Sequence, residues 1–271
     1  MPKVREEKPR SFTEFLGLIE DCQPKCEGPL WYRGCGDAIH KLLPSLYRHK
    51  AVTKIQDLAR LEIQLMNRFR QRSIPLTARS LDDDWDALFF MQHYGVPTRL
   101  LDWTENPFIG FYFAVMYARF EADVKNRPKF TNDACVWILD PIAWNRHALS
   151  HQNYDGSILA PGDEALKGYK PTPSFAGMNN YPVALYGAHN SPRIVAQRGV
   201  FTIFGQNTTP MESVYKVDKF PSNCLIKVIL KRSILPKMRA SILNHGITES
   251  VVFPDLEGLA KEIRRTFEFE V

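Results

Sequence analysis

The chain has 271 residues, 44% hydrophobic and 12% aromatic, and carries a net charge of +5 at a pI near 8.9. Those values exclude a disordered chain and allow one sizeable core, and no apolar run reaches the ~18 residues of a membrane span. The charged start, MPKVREEKPRS, lacks the apolar stretch of a secretory leader, so the expected location is cytoplasmic.

In chain order, Ser11 and Glu14 form a capping box for an amphipathic helix through about Cys22, so residues 1–28 read as a helical lead-in. PLWYRG (29–34) reads as a strand ended by glycine, and 52–72 as a helix with Ile55, Leu58, Leu61, Leu65 and Phe69 at helical spacing. A second helix follows Asp82, Asp83 and Asp84 and runs to about Gly95. The run GVPTRLLDWTENPFIGFYFA (95–114) then sets Arg99, Asp102 and Trp103 among apolar residues. Pro97 disfavours helix before it, Arg99 to Trp103 reads as a short strand, and Thr104 is placed to cap the following helix. Asp102, Trp103 and Thr104 thus fall at a strand-to-helix corner, where side chains can face a cleft.

Residues 134–139, 194–204, 224–231 and 249–253 read as strands, and 234–244 and the stretch from Asp255 as helices. Segment 151–191 shows no periodicity and is rich in Pro, Gly, Asn and Tyr, which suggests a lid. The mixture, without strict βαβ alternation, indicates a single α+β domain over residues 1–271. Cys22, Cys26, Cys35 and His40 have a spacing that zinc could use, but no second knuckle appears, and reduced, partly buried thiols are the better expectation. Arg68, Arg70 and Arg72, and Lys227, Lys231, Arg232, Lys237 and Arg239, form two basic groups, readable as solvated faces or as a polyanion surface.

LWYRG (30–34), HYGVPTRLLDWTENP (93–107), RIVAQRGVF (193–201) and FPDLEGL (253–259) together resemble the FRG-domain family. Their order also looks like that of ADP-ribosyltransferases, whose fold has a split β-sheet core flanked by helices. In that likeness Arg33 stands at the NAD-gripping position of the first catalytic strand, Thr104 at the second element and Glu249, opening TESVVF, at the catalytic carboxylate. The usual Ser-Thr-Ser is absent, and GFYFA (110–114) offers a rival register through Tyr112. The resemblance implies NAD as substrate and no metal. Arg33, Tyr32, Gly34, Arg99, Asp102, Trp103 and Gln197 would hold the NAD, while Glu249, Arg33 and Thr104 would serve catalysis.

It further implies a transferase toxin of bacterial defence or toxin–antitoxin systems, with a possible cognate antitoxin and no membrane. The basic balance favours a nucleic acid acceptor, RNA before DNA, over a protein. Plain NAD hydrolysis and a non-catalytic nucleotide- or nucleic-acid-binding module are the alternatives. Each residue also has a structural reading: Arg99 and Asp102 could pair with each other, Thr104 could be only a cap, and Trp103, Tyr112 and His93 could serve the core.

Overall fold

In the computed structural model, residues 4–77, 80–122, 128–152, 154, 156–172, 177–188 and 191–269 are described. Strand β1 (Arg5–Glu7) and helix α1 (Phe12–Cys22) open the chain, followed by β2 (Trp31–Cys35), α2 (Ile55–Ser73), α3 (Asp84–His93), β3 (Leu100–Thr104) and α4 (Pro107–Met116). Next come β4 (Phe120–Ala122), β5 (Pro128–Phe130), β6 (Ala134–Leu139), α5 (Pro141–Ala148), β7 (Val183–Leu185), α6 (Pro192–Gln197) and β8 (Gly199–Ile203). The chain closes with α7 (Met211–Val217), β9 (Leu225–Leu230), α8 (Leu235–Asn244), α9 (Glu249–Val252) and α10 (Leu256–Thr266).

Local chemistry accounts for several boundaries. Ser11 Oγ accepts from Glu14 N at the start of α1, Asp83 from Trp85 N and Asp86 N at α3, and Asp255 from Gly258 N at α10. The cap of α4 is Asn106, which accepts from Phe108 N, rather than Thr104.

Seven strands form one mixed sheet in the order β1-β9-β6-β2-β3-β8-β7, with β4 and β5 as a separate ribbon. Alternation along the strands divides the core. Tyr32, Val136, Ile138 and Ile226 pack with Phe15, Phe111 and Met238 of α1, α4 and α8. Trp31, Trp137 and Leu139 pack with Met66, Leu88, Trp144 and Val214 of α2, α3, α5 and α7. The result is a single α+β domain.

Two features position the site. β2 pairs with β6 over five residues, Trp31 to Cys35, but with β3 through Tyr32 and Thr104 alone. From that joint the sheet opens between Arg33-Gly34 and Asp102-Trp103. Meanwhile α4 lies so close to β2 that a Cβ on Gly34 would come within 2.0 Å of Gly110 O. Gly34 is therefore required by helix packing, not by the approach of a ligand.

Four stretches differ from the sequence reading. Residues 194–204 divide into α6 and β8, with Ser191 capping α6, Pro192 in its first turn and Arg198 left-handed at φ 45. Residues 249–253 are not a strand: Glu249–Val252 is a helical turn. The described part of 151–191 is packed, contributing β7 and burying Leu159, Leu166 and Tyr169; its residues 153, 155, 173–176, 189 and 190 lie outside the description. The lead-in likewise contains a strand, β1, parallel to β9.

Candidate functional site

A cavity of about 270 Å³ opens where β2 and β3 part. Tyr32, Arg33 and Gly34 come from β2, and Asp102, Trp103 and Thr104 from β3. The end of α3 adds Gln92 and His93, α4 adds Phe113, and α6 adds Arg193 and Gln197.

Arg33 bridges the opening. Its Nη1 donates to the main-chain carbonyl of Asp102 at 2.5 Å and lies 3.8 Å from Asp102 Oδ2. Its Nε is buried with no hydrogen-bond partner, an uncompensated donor beside the cavity. The Asp102 carboxylate is held from the other side. Leu100 N donates to Thr98 Oγ1, Thr98 Oγ1 donates to Gln92 Oε1, and Gln92 Nε2 donates to Asp102 Oδ2 at 2.7 Å. A carboxylate can only accept, so the Gln92 amide nitrogen faces Asp102 and the Gln92 oxygen is left to accept from Thr98 Oγ1. Asp102 remains 57% exposed at the side chain.

Burial lowers the pKa of His93 from its ordinary 6.5, and the Arg193 cation lowers it further. The Arg193 guanidinium in turn lies over the Phe253 ring, 4.7 Å from its centroid. Behind the site, Cys35 faces Cys135 across the β2–β6 pair. Hydrogen bonding from Cys135 and the Arg33 charge pull the Cys35 thiol below its ordinary range, against the opposing effect of burial.

Seven of the nine residues expected at the site, Tyr32, Arg33, Gly34, Asp102, Trp103, Thr104 and Gln197, line this cavity. Several have structural duties there. Thr104 Oγ1 donates to Gln197 O and accepts from Asn106 N, tying β3 to α6 and α4. Gln197 Nε2 donates to Val252 O of α9. Trp103 is buried and its indole donates to Thr202 Oγ1; Tyr32 is buried too, so the half-buried Phe113 is the more exposed ring in the wall.

Arg99 and Glu249 stand elsewhere. Arg99 is fully buried, its Nε donating to both Glu62 oxygens, with Nη1 on Phe204 O and Nη2 on Tyr169 O, all at 2.8–2.9 Å. Its partner is thus Glu62 rather than Asp102, and a ligand would have to break that cage to reach it. Glu249 starts α9 and its carboxylate receives Arg265 Nε on both oxygens, at 2.7 and 3.0 Å. Neither lines the cavity, and no described residue of 151–188 does.

Gln92, His93, Phe113 and Arg193 were not among the expected ligand-holding residues. His93 and Arg193 nevertheless open two of the quoted motifs, a signal already present. Tyr112 is core. Cys22 and Cys26 lie at another cavity, with Cys224, apart from Cys35. Among the described residues no group of three or more His, Cys, Asp or Glu is arranged to hold a metal ion. No helix of the described residues is long and apolar enough to cross a membrane. Within the basic groups, Arg70 is bound to Asp84, and Lys231 to Asp133.

Residues 28–123 match the family model of the FRG domain. The matched span includes the β2 and β3 walls of the cavity and ends before the RIVAQRGVF and FPDLEGL motifs. No curated protein and no solved structure gives a significant match.

Proposed function

We propose that the cavity binds the nicotinamide-ribose half of NAD and that the protein is an ADP-ribosyltransferase-type enzyme in which Asp102, not Glu249, is the working carboxylate. The observation that carries this reading is the pairing of an under-used guanidinium with an exposed, oriented carboxylate in one opening of the sheet. A volume of about 270 Å³ suits a mononucleotide portion, with the rest of the dinucleotide on the rim.

In this reading Arg33 takes an anionic or ribose oxygen through the terminal nitrogens of its planar fork. Phe113 flanks the nicotinamide. As the bond between ribose C1′ and the nicotinamide nitrogen breaks, its electron pair leaves with neutral nicotinamide and the ribose gains positive charge. Asp102, fixed by Gln92, stabilises that charge in place and needs no reorientation. An acceptor nucleophile or water then forms the new bond to C1′ and loses its proton to solvent. RNA is the favoured acceptor because of the basic balance, and the role as a defence toxin follows from the family likeness.

The test is incubation with labelled NAD and separate pools of RNA, DNA and protein. Asp102→Asn keeps size but removes charge, and should lower turnover by roughly 100- to 1,000-fold, while NAD binding followed by calorimetry persists. Glu249→Gln should retain its rate per folded molecule. Loss of turnover in the Glu249 variant at wild-type melting temperature would overturn the assignment to Asp102.

A second reading, nucleotide binding without catalysis, is favoured by the engagement of the Thr104 hydroxyl in structural bonds. It predicts NAD binding with no nicotinamide release in the wild type.

A further inference from the structure

Cys35 of β2 and Cys135 of β6 are direct partners in an antiparallel ladder. Directly opposed residues of such a pair project to the same side of the sheet, with Cα atoms about 4.5–5.5 Å apart. A disulfide spans Cα separations of roughly 4.4–6.8 Å, so this register lets the two sulfurs join without moving either strand. Both thiols are free, and both belong to the same buried cluster. The other three cysteines, Cys22, Cys26 and Cys224, line a different cavity.

The surroundings give the two thiols different roles. A hydrogen bond with Cys135 favours the thiolate of Cys35, and so do the charges of Arg33, two residues back on the same face of β2, and of Lys227 on β9. The same hydrogen bond, together with burial, keeps Cys135 protonated. One sulfur is thus the nucleophile and the other carries the proton that a leaving group needs. Burial instead pushes the Cys22, Cys26 and Cys224 thiols up, which makes them the poorer nucleophiles. A small oxidant has a route to the pair. Among the described residues β2 pairs with β3 through Tyr32 alone, so the sheet is open on that side of Cys35, and Arg33 lines the cavity there. Cys35 keeps 8% exposure and Cys135 none, so Cys35 is the sulfur that meets the oxidant first.

We propose that Cys35 and Cys135 are a peroxide-reactive pair that closes reversibly into a cross-strand disulfide. The Cys35 thiolate attacks one peroxide oxygen, the O–O bond breaks, and the departing hydroxide takes a proton from solvent to become water. The Cys135 sulfur then attacks the Cys35 sulfenic acid. The S–S bond forms, the S–O bond breaks, and the hydroxyl leaves as a second water with the Cys135 proton. Two electrons pass from the two thiols to the peroxide, and a dithiol reverses the change by exchange.

The test is hydrogen peroxide at near-stoichiometric dose on the full folded chain, followed by alkylation of the remaining thiols and peptide mass spectrometry. The expected product is a peptide pair joined through Cys35 and Cys135, with Cys22, Cys26 and Cys224 alkylated. Dithiothreitol before alkylation should return every cysteine to the alkylated form. In Cys135→Ala, oxidation should stop at the Cys35 sulfenic acid, which dimedone captures; the wild-type linkage decides by itself if that variant does not fold. The readout does not involve the ligand of the cavity, so it stands apart from the NAD reading. Cys35 and Cys135 that both remain alkylatable at that dose would overturn the proposal, as would oxidation appearing first at Cys22, Cys26 or Cys224.

Discussion

Two arginine–carboxylate pairs, Arg99–Glu62 and Arg33–Asp102, have opposite characters. Arg99 and Glu62 are sealed, with side-chain exposures of 0% and 1%, and the guanidinium is surrounded by acceptors from four separate stretches of chain. Arg33 and Asp102 meet at 3.8 Å with exposures of 24% and 57%, and one Arg33 nitrogen is left without a partner. A saturated guanidinium has nothing left to offer a ligand; an unsaturated one in an opening does. What separates structure from function here is the unused hydrogen-bonding capacity of each arginine, more than the motif in which it is found.

The largest effect should come from changing the same residue in the two places. Arg99→Lys leaves Glu62 a smaller, differently shaped partner and strands the Phe204 and Tyr169 carbonyls. A cost approaching the ~3–5 kcal/mol of a broken buried pair is expected in urea unfolding. Arg33→Lys should change stability by less than ~1 kcal/mol, yet weaken NAD binding in calorimetry. Equal destabilisation by both would erase the distinction.

A smaller effect is expected at Thr104. Thr104→Val leaves Gln197 O and Asn106 N without their partner, so stability should fall by about 1–3 kcal/mol while turnover per folded molecule holds. A fall in turnover with stability intact would return Thr104 to the chemistry.

The smallest concerns His93. Its folded pKa lies below its unfolded 6.5, so the unfolded chain binds the proton more readily. The contribution to stability is therefore complete above pH 6.5 and is lost as pH falls from there through the lower, folded value. His93→Gln should flatten that part of the stability profile, measured by denaturant unfolding at each pH. A profile equally steep in the variant would show that other groups govern it.

Much of this was legible where the cause is local. Ser11, Asp83 and Asp255 announce their helices because a cap is an interaction over three residues. The corner of β3 and α4 was legible for the same reason, and with it most of the cavity wall. TESVVF reads as a strand from its β-branched valines, but Val252 is buried and its carbonyl receives Gln197, so tertiary contacts hold a helical turn there. Ser191 followed by Pro192 was a readable helix start within what looked like one strand. The fate of Arg99 was not readable, since Glu62, Tyr169, Met178 and Phe204 are 37 to 105 residues away. Nor was the packing of 151–188, which depends on scattered single residues such as Leu159 and Tyr169 rather than on a period.

The pairing of the sheet bears on how this architecture can be inherited. The FRG match ends at residue 123, but β2 takes its long ladder from Ala134–Leu139 and β3 takes its long ladder from Gly199–Ile203. Cut out at the limits of the match, the segment would carry two open strand borders and an arginine missing three of its acceptors. The matched stretch thus has both of its strands completed from outside it, and any replacement of the later segments would have to restore the same two ladders and the same cage.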